Sequence, residues 1–176
     1  SKFRHSNMRG FTLIELLTAT TIILILSGIV VLNSRTGQGS LALDRSAHKL
    51  AQDIRRAIEL TLRAQSLGGC SVSGYGVYVT RTFPLEKEYK IFGDCNANKS
   101  YDVSDVVVEL LKFEQGVQIS DVSPSPAAHI FFIPPDPQVE IFPGNPATAQ
   151  VILQLENDPS RTRTLTINKK GVIDID

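Results

Sequence analysis

Hydrophobic positions fall along this chain in three regimes. From Phe11 to Leu32 they are nearly continuous, "FTLIELLTATTIILILSGIVVL", interrupted by hydroxyl and small residues and by one carboxylate, Glu15. These 22 residues make roughly 33 Å of α-helix, enough to cross a hydrocarbon core. Thr12, Thr18, Thr20, Thr21 and Ser27 are tolerable there, because a hydroxyl can bond back to the preceding turn. From Leu41 to Gln65 the period changes. Leu43, Ala47, Leu50, Ile54, Ala57, Ile58 and Leu62 recur at spacings of three and four, with Asp44, Lys49, Asp53, Arg55, Arg56 and Glu59 mostly on other faces. That pattern predicts an amphipathic helix whose apolar stripe needs a cover. Between the two segments lies "NSRTGQGS", in which Gly37 and Gly39 each cost a helix about 1 kcal/mol relative to alanine. The helices either part here or run on through a soft point. "LGG" at Leu67–Gly69 predicts a stop.

The third regime is strand-like. Candidate strands are Tyr75–Arg81, Lys87–Gly93, Val106–Phe113, Val117–Ser120, His129–Pro134, Gln138–Phe142, Gln150–Glu156, Thr162–Asn168 and Val172–Asp176. "TRTLTIN" and "QVILQLE" alternate most clearly, as half-buried strands do. Pro84, Gly116, "PSP", "PPDP", "PGNP" and "KKG" separate the runs as turn signals. Helix first and strands afterwards is the order of an α+β domain, with antiparallel sheet packed on the Leu43–Leu62 stripe.

Charge orients the apolar run. The chain has 18 basic and 18 acidic residues, so no net charge points to a polyanionic partner. Lys2, Arg4 and Arg9 precede the run, which places the N-terminus in the cytoplasm and the residues beyond 33 outside. A cleaved secretory signal has a shorter apolar region ending in small residues, and nothing of that kind follows Leu32. A plain signal anchor explains the length and the charge bias but leaves Glu15 without a reason. An unpaired carboxylate inside a bilayer is costly.

The stretch "RGFTLIELL" resembles the class III signal of type IV pilins and pseudopilins: a basic leader, Gly10, Phe11, Glu15 five residues into the mature chain, then a long apolar helix. The resemblance implies cleavage between Gly10 and Phe11 by a prepilin peptidase, and N-methylation of the new terminus at Phe11. It implies that Glu15 meets the N-terminal amine of a neighbouring subunit, which would offset much of the cost of its charge. The implied partners are other pilin or pseudopilin subunits, the peptidase/methyltransferase and a membrane assembly platform. The implied location is the bacterial cytoplasmic membrane, then a filament. The domain organisation expected is a leader (1–10), a transmembrane assembly helix (11–32), a soft linker with the amphipathic helix (33–67) and an extracytoplasmic β-rich domain (68–176). The element order and "GDCNANKSYD" also look like the H-type minor pseudopilins of type II secretion and related minor pilins.

Three further groups carry candidate chemistry. Cys70 and Cys95, the only cysteines, lie on the oxidising side by this topology, so a disulfide is expected. Asp94, Asn96, Asn98, Ser100, Asp102 and Asp105 fall on positions 1, 3, 5, 7, 9 and 12 of an EF-hand-like loop, a spacing that can wrap Ca²⁺. Lys99 stands where such a loop normally has glycine, and Asp105 is a shorter arm than glutamate. The other reading of the stretch is an Asx-rich turn whose side chains cap backbone groups. Arg161, Arg163, Lys169 and Lys170 could contact phosphates, as C-terminal basic residues of some DNA-uptake pilins do. With Asp158, Asp174 and Asp176 nearby, a solvated strand and turn is the plainer account. The three histidines are scattered, and no GxSxG, HExxH or phosphate loop is present. The expected role is therefore structural and non-enzymatic, with no cofactor required. The rival is a signal-anchored binding module, for Ca²⁺ or DNA, that does not polymerise.

Overall fold

A computed structural model of the chain describes residues 11–63, 70–135 and 138–176; of residues 31–37 only the backbone is described. The chain divides into two compact units, 1–38 and 39–176. Helix α1 spans Leu13–Arg63, and residues 33–40 are helical, so neither Gly37 nor Gly39 interrupts the assignment. The expected stop at Leu67–Gly69 and the "PPDP" turn fall wholly or partly outside the described residues.

The second unit carries all nine expected strands: β1 Gly74–Thr80, β2 Glu88–Asp94, β3 Val106–Lys112, β4 Val117–Ser123, β5 Ala127–Ile133, β6 Gln138–Phe142, β7 Thr148–Leu155, β8 Asp158–Asn168 and β9 Ile173–Ile175. They form two antiparallel sheets, ordered β3-β2-β1-β5-β6 and β4-β7-β8-β9. The fold is α+β, with the Gly39–Arg63 part of α1 sharing one core with both sheets. Leu43, Ala47, Leu50, Ala51, Ile54 and Ala57 are all buried there. The sheets contribute Val77, Ile91, Ile130 and Ile141 on one side and Ile119, Val151, Leu153 and Leu165 on the other. Three alanines on the helix stripe keep its backbone close to the strands.

The stripe ends one residue earlier than expected. Leu62 is 54% exposed, and Thr61 is buried in its place, its hydroxyl donating to Ala57 O at 3.0 Å. Back-bonding to the preceding turn lets a threonine close the stripe without an unpaired hydroxyl. Polar straps complete the docking. The Tyr89 hydroxyl donates to Asp53 at 2.5 Å, and the Arg163 guanidinium to Asp44 at 2.6 Å. The Glu114 N–H donates to Ser46 Oγ at 3.1 Å. Burial, then Asp53, push the Tyr89 hydroxyl well above its ordinary pKa.

The far face of the five-stranded sheet is also packed. Gly74 and Gly76 leave room there for two rings. A Cβ on Gly74 would meet Phe131 Cζ at 2.6 Å, and one on Gly76 would meet Phe92 Cζ at 2.6 Å. Tyr101, from the loop after β2, lies 5.5 Å from Phe92 and 5.0 Å from Tyr78, centroid to centroid. This loop therefore covers one end of the sheet.

Candidate functional sites

The N-terminal segment is built as a capped, self-satisfied apolar helix. Thr12 stands just before α1, and the Glu15 N–H donates to its Oγ1 at 3.3 Å and to its carbonyl at 3.1 Å. Thr12 and Glu15 thus have the spacing of a capping box, with the acid in the first turn, where the helix dipole favours negative charge. Sequence reasoning treated Glu15 as an anomaly of a membrane helix and overlooked this local reason, although "TLIE" itself spells the capping signal. The hydroxyls bond within the helix: Thr18 to Glu15 O at 3.0 Å, Thr20 to Leu17 O at 3.0 Å and Thr21 to Leu17 O at 2.8 Å. The 18 residues Leu13–Val30 are long and apolar enough to cross a membrane, and none is buried. Phe11 and Glu15 are exposed; Gly10 and the leader lie outside the described residues.

Cys70 and Cys95 are bridged, with Cα atoms 5.8 Å apart. The bridge ties the chain ahead of β1 to the start of the 94–105 loop. In that loop every carboxylate oxygen accepts from a protein donor. Asp94 takes the Asn96 and Lys99 N–H groups at 3.1 and 2.9 Å and the Ser73 hydroxyl at 2.8 Å. Asp105 takes the Cys95 and Asp102 N–H groups at 3.1 and 2.8 Å. Asp102 takes the Ser104 N–H and hydroxyl on one oxygen, and the Asn96 and Asn98 side-chain amides on the other. Asn96 and Asn98 also cap the N–H groups of Asn98 and Ser100. Lys99 makes the turn that a glycine would make, with φ of 63°. A non-glycine residue is disfavoured there by roughly 1–2 kcal/mol. Its Nζ reaches Glu140 on β6 at 3.0 Å, a compensating contact. The donors from Ser104, then Asn96, hold Asp102 at a pKa of about 2, whereas burial raises that of Asp105. The loop is thus a self-capped Asx turn. Among the described residues, no group of three or more His, Cys, Asp or Glu is placed to hold a metal.

The loop is pinned to the sheet at Tyr101. Its N–H donates to His129 Nδ1 at 2.8 Å, and Lys90 Nζ sits 4.9 Å from its ring centroid. His129 must be neutral to accept that bond, and its burial lowers its pKa accordingly. The sequence separation of Tyr101 and His129 hid this contact. Glycines at alternate positions of a strand, Gly74 and Gly76, were the available sign of a close approach there.

Of the four C-terminal cations, two are engaged by the helix. Arg161 and Arg163 share a face, as period two requires, but that face meets α1. Arg161 donates to Ser40 Oγ at 2.6 Å and pairs with Asp158 at 3.0 Å, while Arg163 pairs with Asp44. Lys169 and Lys170 lie exposed beyond the end of β8. The four are not gathered into one phosphate-binding surface.

No curated protein and no solved structure matches the chain. A family model described as the prokaryotic N-terminal methylation motif matches residues 5–31, from within the leader through nearly all of the apolar run. The chain therefore carries a type IV pilin-like prepilin signal, which supports reading it as a protein of that kind, processed at its N-terminus.

Proposed function

We propose that this chain is a structural subunit, a minor pilin or pseudopilin, of a type IV pilus or a type II secretion pseudopilus. The observation that carries the reading is the methylation motif over residues 5–31, with Glu15 in the first turn of an exposed apolar helix. A prepilin peptidase cuts between Gly10 and Phe11 on the cytoplasmic side, and the Phe11 amine is methylated. The span holds the subunit in the membrane with residues 39–176 outside, where the Cys70–Cys95 bridge persists. A partner ATPase acting through the assembly platform supplies the work of extraction. The H-type subtype is part of this reading and rests on the element order and the "GDCNANKSYD" stretch of the sequence alone. The chain's part is assembly, not catalysis.

The test is the mass of the mature N-terminus in cells that contain the peptidase. A chain beginning at methylated Phe11 supports the reading. An intact leader would overturn it in favour of a signal-anchored module that does not polymerise.

A further inference from the structure

The second unit is electrically lopsided. The solvent face of α1 beyond Gly39 carries Arg45, Lys49, Arg55, Arg56 and Arg63, all exposed, against the single exposed acid Glu59. The other two acids of this stretch are turned to the sheets, Asp44 onto Arg163 and Asp53 onto Tyr89. Arg56 is paired with Glu109 at 2.6 Å, and Arg45 lies 3.9 Å from Glu114. Arg55 and Arg63 have no carboxylate within salt-bridge distance among the described residues. Residues 64–176 are the reverse, with nine basic and fourteen acidic residues. Most of those acids are spent internally. Asp174 and Asp176 are exposed and have no cation partner among the described residues; Asp174 Oδ1 accepts only the neighbouring Ile175 N–H, at 3.1 Å. They lie on the edge strand of the four-stranded sheet. Asp174 pairs with Thr166, and Asp176 exchanges backbone bonds with Thr164, so both carboxylates project from the same side as those threonines. Ile173 and Ile175 point the other way, against the core.

From this charge separation we infer that the cationic face of α1 in one copy docks against the Asp174–Asp176 edge of a second copy. This rests on the assembly reading above and names one contact within it. Two α1 faces set against each other would oppose cation to cation, so a symmetric pairing through this face is disfavoured. A face that fits a different patch on an identical molecule makes a heterologous contact, and such contacts generate open filaments rather than closed pairs. Charge on β9 also blocks strand addition at this edge, leaving it free to contact side chains. Leu41 and Leu62, 53% and 54% exposed near the two ends of this part of α1, supply apolar contact beside the charges.

The test uses the full chain in detergent with a photo-crosslinking residue at Gln52, in the middle of the cationic face. The expected product is an adduct to a peptide containing residues 172–176, with a yield that falls at least tenfold between 50 and 500 mM salt. Asp174→Lys with Asp176→Lys is expected to lower the yield at least tenfold. Adding Arg55→Glu and Arg63→Glu is expected to restore it to within threefold of the parent. This recovery separates a lost contact from a lost fold. Adducts to another region, to added duplex DNA or to anionic lipid vesicles in place of β9 would overturn the contact, as would a yield indifferent to charge. A chain that is processed at Phe11 and enters filaments, yet gives no such adduct, sinks only this contact and leaves the assembly reading intact.

Discussion

Individual residues hold the outer layer of the five-stranded sheet together, and two of them make sharp predictions. At Gly76 an added Cβ would sit 2.6 Å from Phe92 Cζ and 2.9 Å from the Ile130 carbonyl. The ring can move, but the backbone oxygen belongs to β5 and cannot. Gly76→Ala is therefore expected to cost about 1–3 kcal/mol by overpacking, read as a lower urea midpoint with an unchanged slope. A variant as stable as the parent would mean that the ring is not seated there. His129 gives a pH dependence. Its folded pKa lies below the ordinary value of about 6.5, because burial opposes its charge. The unfolded chain thus takes up the proton first as pH falls. The His129 contribution is full above about pH 6.5 and is lost as pH drops toward the lower folded pKa. His129→Gln keeps an acceptor for the Tyr101 N–H but does not titrate. Its melting temperature is expected to fall less than the parent's between pH 7 and pH 5; equal falls would remove His129 as the cause.

At the scale of elements, the 94–105 loop is braced at three places. It is tied by the Cys70–Cys95 bridge, by Lys99 to Glu140 and by Tyr101 to His129. The bridge closes a separation of 25 residues. On the chain-entropy account that is worth about 3 kcal/mol. Cys70→Ser with Cys95→Ser is expected to lower unfolding free energy by that order in urea titration, and an unchanged midpoint would show that the bridge constrains nothing. The same loop bears on calcium. All six carboxylate oxygens of Asp94, Asp102 and Asp105 already accept from protein donors. We propose that the turn stands without an ion and expect melting to be indifferent to EDTA. A rise of several degrees on adding Ca²⁺ would instead favour the EF-hand-like reading. The helix teaches a related lesson. Period three-to-four marked the buried stripe from Leu43 to Ala57, yet it could not decide its last residue. Leu62 is the more apolar candidate; Thr61 is the one that faces the core.

For the whole molecule, the question is why Glu15 is present in an apolar helix. Capping by Thr12 explains why the acid is tolerated at the first turn, but it does not require a charge, since the Thr12 hydroxyl makes the bond to the Glu15 backbone. On the assembly reading proposed above, a partner amine on a neighbouring subunit would give the charge a purpose, because an unpaired acid in a membrane segment is costly. Glu15→Ala is expected to leave cleavage and methylation at Phe11 intact while filament incorporation falls at least tenfold. Normal incorporation would remove the docking role and leave Glu15 as a capping residue.

Much of this was open to reading before any coordinates. The apolar run, the leader charges and Glu15 are local features, because processing acts on a linear signal and a membrane span needs only length and composition. The α+β class and the existence of nine strands followed as well, since period two and turn residues act over a few neighbours. What only the tertiary structure decided involves partners distant in the chain. It split the strands into two sheets, placed Phe131 over Gly74, brought Tyr101 to His129 and turned Arg161 and Arg163 toward α1. It also spent the carboxylates of the 94–105 loop on that loop's own N–H groups and side chains. A residue's type states which bonds it can make. Which bond it does make depends on what the fold brings within about 3 Å, and no pattern along the chain encodes that distance.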